Sequence, residues 1–100
     1  MSKTAWLTIT ATMLEEMDGA LDDGKHEPYI KIAAAEYETK KSQFKIEATL
    51  EDLYELRSRY DYVAFCSASE MSYDPPYNRR MLRMATAALK RIDKAIKEIS

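Results

Sequence analysis

The first clear pattern along the chain is a strict alternation of apolar and polar residues over positions 5–13. The apolar side chains would face one way and the threonines the other: Leu7, Ile9, Ala11 and Met13 against Thr8, Thr10 and Thr12. A period of two with β-branched residues predicts a half-buried strand. In 14–23, Leu14, Met17 and Leu21 fit one helical face, but Gly19 disfavours a helix. The composition of 22–25 indicates a turn.

The stretch 28–39 carries two conflicting signals. Ile30 and Ile32 favour a strand, whereas the run 33–36, Ala-Ala-Ala-Glu, favours a helix. We predict a strand, because the polar turn 40–42 is followed by a second alternating run. In that run the inward and outward positions separate cleanly: Phe44, Ile46 and Ala48 against Gln43, Lys45 and Glu47. Two extended runs around a short polar break indicate an antiparallel hairpin.

Two helices are predicted after the strands. Thr49 and Asp52 have the spacing of a capping box, so the first helix is placed at 50–65. A linker of small residues, 66–73, follows. Asp74 is a good N-cap and Pro75 suits the first helical position, which starts a second helix over 75–99. Its apolar positions recur at helical spacing: Met81, Ala85, Ala88, Ile92, Ala95 and Ile99, widened by Leu82, Leu89 and Ile96.

The second helix is long enough to need extra support. At ~1.5 Å per residue it would measure about 36 Å, whereas a domain of this size has a radius of gyration of only ~13 Å. A second copy of the chain is the simplest source of contacts for the overhanging end. We therefore expect a homo-oligomer.

Charge is divided unevenly along the chain. From Pro75 to the end there are seven Lys/Arg against two acids, a balance of +5, while residues 1–74 carry eight against fifteen, a balance of −7. The pI near 5.4 argues against a general nucleic-acid coat. The basic helix nevertheless suits an anionic ligand or an acidic partner surface.

Catalytic and metal-binding patterns are absent from the sequence. His26, the only histidine, stands in a polar loop, and Cys66, the only cysteine, has no base near it in sequence. One cysteine and one histidine do not make a zinc pattern, and two glycines cannot build a phosphate-binding loop. We expect no enzyme activity, no cofactor and no metal.

The best candidate site is the start of the second helix. A helix N-terminus attracts anions, arginine forks bind phosphate, and aromatic rings stack on bases. The predicted ligand-binding residues are Phe65, Tyr73, Tyr77, Asn78, Arg79, Arg80 and Arg83. The alternative is that the arginines pair with acids of residues 1–74 while the tyrosines fill the core. We interpret Lys90, Arg91, Lys94 and Lys97 as a solvated face.

The order of elements, together with Phe65, Asn78 and Arg79 near the inter-helix loop, is similar to small phage-encoded anti-defence proteins. More narrowly, the chain resembles the anti-Thoeris signal sponges, which bind cyclic nucleotide signals between subunits of an oligomer. The resemblance covers element order over most of the chain and no specific motif. It implies sequestration of a nucleotide signal without catalysis.

Together these observations predict one α+β domain, 1–100, with an antiparallel sheet of three or more strands followed by two C-terminal helices. Residues 5–48 would be mainly sheet. The expected function is sequestration of a small anionic, cyclic nucleotide at a subunit interface in the cytoplasm of a host bacterium. The alternative is an inhibitor that docks on a host defence complex through its charged faces. No membrane segment is evident, because no apolar run reaches ~18 residues.

Overall fold

The computed structural model describes residues 3–23 and 26–100. Within them the chain forms an α+β fold with two strands and five helices. In chain order the elements are β1 Thr4–Ile9, α1 Ala11–Glu16, α2 Asp18–Asp23, α3 Tyr29–Thr39, β2 Phe44–Thr49, α4 Leu50–Ser69 and α5 Pro75–Ile99.

The sheet consists of β1 and β2 paired antiparallel, in a register that runs from Thr4 opposite Thr49 to Ile9 opposite Phe44. Alternate residues of both strands are buried, as a period of two requires: Ala5, Leu7 and Ile9 on β1, and Phe44, Ile46 and Ala48 on β2. The prediction of three or more strands is wrong, because the described residues form two. The stretch 5–48, expected to be mainly sheet, contains three helices.

The segment 28–39, which was predicted to form a further strand, forms the helix α3 instead. Tyr29 and Ile32 are buried three positions apart, while Ile30 is exposed, so the apolar positions follow a helical period and not an alternating one. The alanines that follow have high helix propensity. Lys40 ends the helix in the left-handed conformation, with φ of 55°, and its N–H donates to the Glu36 carbonyl. Lys40, the first residue of the predicted hairpin turn 40–42, is therefore the C-cap of a helix.

The strand β1 ends earlier than the alternation predicts. Thr10 caps α1, because its hydroxyl accepts a hydrogen bond from the N–H of Met13 at 3.3 Å. Met13 and Leu14 are then buried side by side on a helical turn. The polar turn predicted at 22–25 includes residues 24 and 25, which lie outside the described part of the chain.

The two C-terminal helices begin where the sequence predicts. Thr49 and Asp52 form a capping box with reciprocal bonds of 3.2 and 2.9 Å. Asp74 caps α5, with Pro75 at its first position. Helix α4, however, continues to Ser69 instead of ending at Phe65, so the predicted linker is partly helical. The two helices pack against each other, and α5 also lies across β1.

The core lies between the sheet and the paired helices, and α5 presents Met81, Ala85, Ala88 and Ile92 to it. Ile96 and Ile99 near the end of α5 also pack against this core, so the helix end does not overhang freely. Tyr60 is fully buried and its hydroxyl donates to the Met13 carbonyl at 3.3 Å. Of the helices described, none is long and apolar enough to cross a membrane.

Candidate functional site

The turn between α4 and α5 is held by Asn78. Its side chain is 4% exposed, and its amide nitrogen donates to the carbonyls of Glu70 at 2.8 Å and Asp74 at 3.1 Å. These two carbonyls lie at the end of α4 and at the cap of α5. The amide group of Asn78, one of the predicted ligand-binding residues, is therefore occupied in closing this turn.

The other sequence-predicted residues separate onto different surfaces. Tyr77 and Asn78 line one groove, Arg80 and Arg83 line another, and Phe65, Tyr73 and Arg79 line neither. Tyr73 is 89% exposed and Phe65 69% exposed. The predicted group thus does not form one pocket at the start of α5. It divides between two grooves that flank the first half of that helix.

The first groove, which we call the acidic groove, has a volume of about 320 Å³. It runs between α1, the end of α4 and the start of α5. Its lining comprises Glu15, Glu16, Tyr62, Val63, Cys66, Ser67, Glu70, Tyr77, Asn78 and Met81. Every charged side chain among its described lining residues is a glutamate. An anionic ligand would meet three carboxylates here, which disfavours the phosphate site expected around Tyr77.

Glu16 is the most enclosed acid of this groove and has a partner. Its Oε1 accepts from the Arg59 guanidinium at 2.8 Å, and Arg59 Nε donates to the Tyr29 hydroxyl at 2.8 Å. The guanidinium also lies 5.0 Å from the centre of the Tyr29 ring. Burial raises the pKa of Glu16 despite the neighbouring Arg59. Burial disfavours the charge on Arg59, but the contacts with Tyr29 and Glu16 outweigh it and raise its pKa.

Two neighbouring pockets lie where α5 passes β1 and α1, and they share the lining residue Arg91. We call the two pockets together the basic furrow, with an upper and a lower half. The upper half, about 310 Å³, is lined by Thr10, Thr12, Arg80, Arg83, Met84, Ala87 and Arg91. The lower half, about 170 Å³, is lined by Trp6, Leu7, Thr8, Arg91, Lys94, Ala95 and Glu98. Arg91 is the residue that lines both halves.

The cations of the furrow come from one face of α5. Arg80, Arg83, Arg91 and Lys94 follow the three-and-four spacing that places side chains on a single helical face. The wall opposite includes three threonines: Thr8 on β1, the α1 cap Thr10, and Thr12 in α1. The result is a cationic groove with hydroxyl groups along its far side.

Arg91 is held in an unusual environment. One terminal nitrogen donates to the Met13 sulfur at 3.4 Å, and its Nε is buried without a hydrogen-bond partner. None of the carboxylates whose side chains are described makes an ion pair with it. A thioether is a weak acceptor, so the charge of this guanidinium is poorly compensated inside the protein. Sequence reasoning missed Arg91 and Lys94, although their spacing from Arg80 and Arg83 would have indicated a shared face.

The histidine and the cysteine lie outside the basic furrow. His26 is exposed and Cys66 is a partly buried free thiol in the acidic groove. Across residues 3–23 and 26–100 there is no cluster of three or more His, Cys, Asp or Glu side chains arranged to hold a metal ion.

Comparison of the chain with protein-family models, with curated proteins and with solved structures gives no match. The two grooves are the features of the described structure on which a functional proposal rests.

Proposed function

We propose that this protein binds a small phosphate-bearing ligand of the nucleotide class in the basic furrow and holds it without chemical turnover. The observation that carries the proposal is Arg91, a partly buried guanidinium that lines both halves of the furrow and has no described carboxylate partner. Burying a charge without compensation is costly. A bound phosphate would provide the missing acceptor, because guanidinium binds phosphate through charge-assisted hydrogen bonds.

The neighbours of Arg91 support the same interpretation. Arg83 and Lys94 also make no ion pair with the described acids, and both are exposed at the furrow. Arg80 does pair with Glu15, at 3.1 Å, but both side chains are about 60% exposed. Such a surface pair is weak and would yield readily to a phosphate. Three to four cations are thus available along one groove.

Sequestration is the mode of action that we propose for this site. The resemblance noted in the sequence implies a cyclic nucleotide signal as the ligand and a second copy of the chain as part of the binding site. The furrow is consistent with such a ligand because its cations extend along the helix. From Arg83 to Arg91 the helix rises about 12 Å at ~1.5 Å per residue, so two phosphates of one ligand would be engaged by different arginines.

Isothermal titration calorimetry on matched arginine variants tests the proposal. The ligands are AMP, cyclic di-AMP, a cyclic triadenylate and tripolyphosphate. Arg91→Gln removes the central charge, whereas Arg79→Gln makes the same change on the same helix outside both grooves. We expect Arg91→Gln to weaken binding about 10- to 150-fold, as for a lost charge-assisted hydrogen bond of ~1.5–3 kcal/mol. Arg79→Gln should change binding by less than about threefold.

Two results would contradict the proposal. One is the absence of binding by every phosphate ligand of the panel. The other is an equal loss of affinity in Arg91→Gln and Arg79→Gln, which would indicate a binding site at the start of α5 and not in the basic furrow. Mass spectrometry of the ligand recovered from the complex tests the second half of the proposal, and a chemically altered ligand would exclude simple sequestration.

The acidic groove favours a second candidate function, docking of a basic segment of a host protein. Of its three carboxylates, Glu15 and Glu16 already pair with arginines of the described chain, so Glu70 is the one open to a basic partner. It is accompanied by exposed tyrosines, Tyr62 and Tyr77, which are common at protein interfaces. A fluorescent arginine-rich peptide is the probe. Glu70→Gln should weaken its binding, and Glu38→Gln on the exposed face of α3 is the matched control. Equal binding to both variants would remove this candidate.

A further inference from the structure

Trp6, the only tryptophan of the chain, lies where the basic furrow meets β1. It is 64% exposed although it stands between the buried residues Ala5 and Leu7 of the strand. Its position on the outward face follows from the period of two of β1. The fold therefore does not use this large ring in the core, and the ring is available to a ligand in the lower half of the furrow.

The charges around Trp6 are arranged unevenly. Arg91 and Lys94 line the lower half on one side, and Glu98 lines it as well. Neither cation lies over the indole ring: among the described residues the cation that covers an aromatic face is Arg59, over Tyr29. No described arginine or lysine is therefore stacked on the face of the Trp6 ring.

From this arrangement we infer that the lower half of the furrow is a base-binding subsite, in which a nucleobase stacks on Trp6 while the attached phosphate contacts Arg91. The inference rests on the proposed function and specifies the class of ligand that the furrow takes. Stacking on an aromatic side chain is open to every base, because each has a π-face. A phosphate without a base would use Arg91 alone.

The direction of the ligand follows from Glu98. A carboxylate repels phosphate, so the phosphate lies toward Arg91 and away from the Glu98 end. The same carboxylate accepts hydrogen bonds, as acidic side chains do from the exocyclic amino groups of bases. Arg83, which lines the upper half, lies about 2.2 helical turns before Arg91. A dinucleotide would therefore place its second phosphate there and bind more tightly than AMP.

Intrinsic fluorescence reads this subsite directly, because the full chain contains one tryptophan. The ligands are cyclic di-AMP, the linear dinucleotide pApA and tripolyphosphate, each added to the intact protein at concentrations that calorimetry shows to be saturating. N-acetyltryptophanamide corrects for light absorbed by adenine. We expect the adenine ligands to quench Trp6 by at least about a third, and tripolyphosphate to leave the emission nearly unchanged.

Substitutions at Trp6 provide the second readout. Trp6→Thr keeps a residue suited to an exposed strand position but removes the ring, while Trp6→Phe keeps an aromatic face. By calorimetry, Trp6→Thr should weaken adenine ligands about 5- to 150-fold, the change that corresponds to stacking worth ~1–3 kcal/mol. Its affinity for tripolyphosphate should stay within about twofold. Trp6→Phe should retain most of the affinity, and Tyr37→Thr on α3 is the control for loss of an exposed aromatic.

The outcomes separate the inference from the proposed function. Adenine ligands that bind in an Arg91-dependent manner, without quenching and with equal affinity for Trp6→Thr, would overturn the base subsite and leave phosphate binding intact. Failure of all ligands, tripolyphosphate included, would overturn both. If circular dichroism shows that Trp6→Thr is unfolded, the quenching of the wild type and the affinity of Trp6→Phe decide whether the base subsite exists.

Discussion

The acidic groove and the basic furrow flank the same helix, α5, but they differ in how their charges are compensated. On the acidic side Glu16 is paired with Arg59 at 2.8 Å, and Asn78 donates to two backbone carbonyls. On the basic side Arg91 has a thioether as its hydrogen-bond partner and a buried Nε with none. Each groove keeps one buried atom without a hydrogen-bond partner, Glu16 Oε2 and Arg91 Nε, but Glu16 has an ion-pair partner whereas Arg91 has none among the described carboxylates.

This difference separates charges that hold the fold from charges that are free to bind. A buried polar group with good partners resists substitution, because its removal leaves those partners without theirs. A charge that has no partner contributes little to stability and is costly to keep. We therefore expect substitutions in the acidic groove to act on stability and substitutions in the basic furrow to act on ligand affinity.

The largest stability effect should come from Arg59→Met. The change keeps the length of the side chain but removes the bonds to Glu16 and to the Tyr29 hydroxyl, and it leaves a largely buried carboxylate unpaired. We expect the free energy of unfolding to fall by about 2–3 kcal/mol. Urea denaturation followed by circular dichroism measures it. A loss under about 0.5 kcal/mol would mean that the pair in the acidic groove is not structural.

A smaller effect is expected for Asn78→Ala. The amide links the Glu70 and Asp74 carbonyls across the α4–α5 turn, and its loss leaves both without this donor. The cost should be about 1–2 kcal/mol in the same denaturation experiment. Ligand affinity should be unchanged, because Asn78 lines the acidic groove. Full stability combined with lost nucleotide binding would restore Asn78 as a ligand-binding residue.

The pH dependence of stability offers a further distinction. Burial raises the pKa of Glu16 above its usual value of 4.5, so its contribution to stability is complete below that pH and is lost as pH rises through the raised pKa. Between pH 4.5 and neutrality the wild type should therefore lose stability relative to Glu16→Gln. Urea denaturation at several pH values gives this difference, and a constant difference would contradict it.

The pKa of Asp52 is shifted in the opposite direction from that of Glu16. Burial disfavours its charge, but the hydrogen bonds from Lys31 at 2.6 Å and from Thr49 outweigh that cost and lower its pKa. Its contribution is present at neutral pH and is lost as pH falls through the lowered pKa, below its usual 3.8. Asp52→Asn should therefore approach the wild type in stability only in strong acid.

The smallest stability effect should be that of the ion pair between Glu15 and Arg80. Because both side chains are about 60% exposed, a double-mutant cycle with Glu15→Gln and Arg80→Gln should give a coupling of at most about 0.5 kcal/mol. In the presence of a phosphate ligand, Glu15→Gln should raise affinity slightly by releasing Arg80. A coupling energy above about 1 kcal/mol would mean that Arg80 stabilises the fold and is not available to a ligand.

Local signals in the sequence predicted the parts of the fold that local chemistry determines. The alternation around Leu7 and Ile46, the capping box at Thr49 and the Asp74-Pro75 start of α5 are all present. The largest error was over 28–39, where Ile30 and Ile32 suggested a strand. The burial of Tyr29 with Ile32 decides for a helix, and this depends on packing against β2, which residue pattern alone does not reveal.

The candidate site was predicted only in its residue types. Arginines of α5 line a groove, but the groove lies along the helix instead of at its N-terminus. Trp6 and Thr10 reach it from the opposite end of the chain, and no sequence spacing joins them to Arg91. Whether a charged side chain has an ion-pair partner likewise depends on the tertiary fold. Lys90, Arg91, Lys94 and Lys97 look equivalent in sequence, yet only Arg91 and Lys94 line the furrow.

Thermal unfolding of the wild type and of Arg91→Met, each with and without saturating cyclic di-AMP, tests the central claim most directly. Without ligand the variant should be as stable as the wild type or more stable, because Arg91→Met removes a partly buried charge that has no described carboxylate partner. Ligand at ~100 times its dissociation constant should stabilise the wild type by about 2.7 kcal/mol and the variant far less. A variant that is destabilised by 2 kcal/mol or more without ligand, or that gains as much from the ligand as the wild type does, would show that Arg91 belongs to the fold and not to the site.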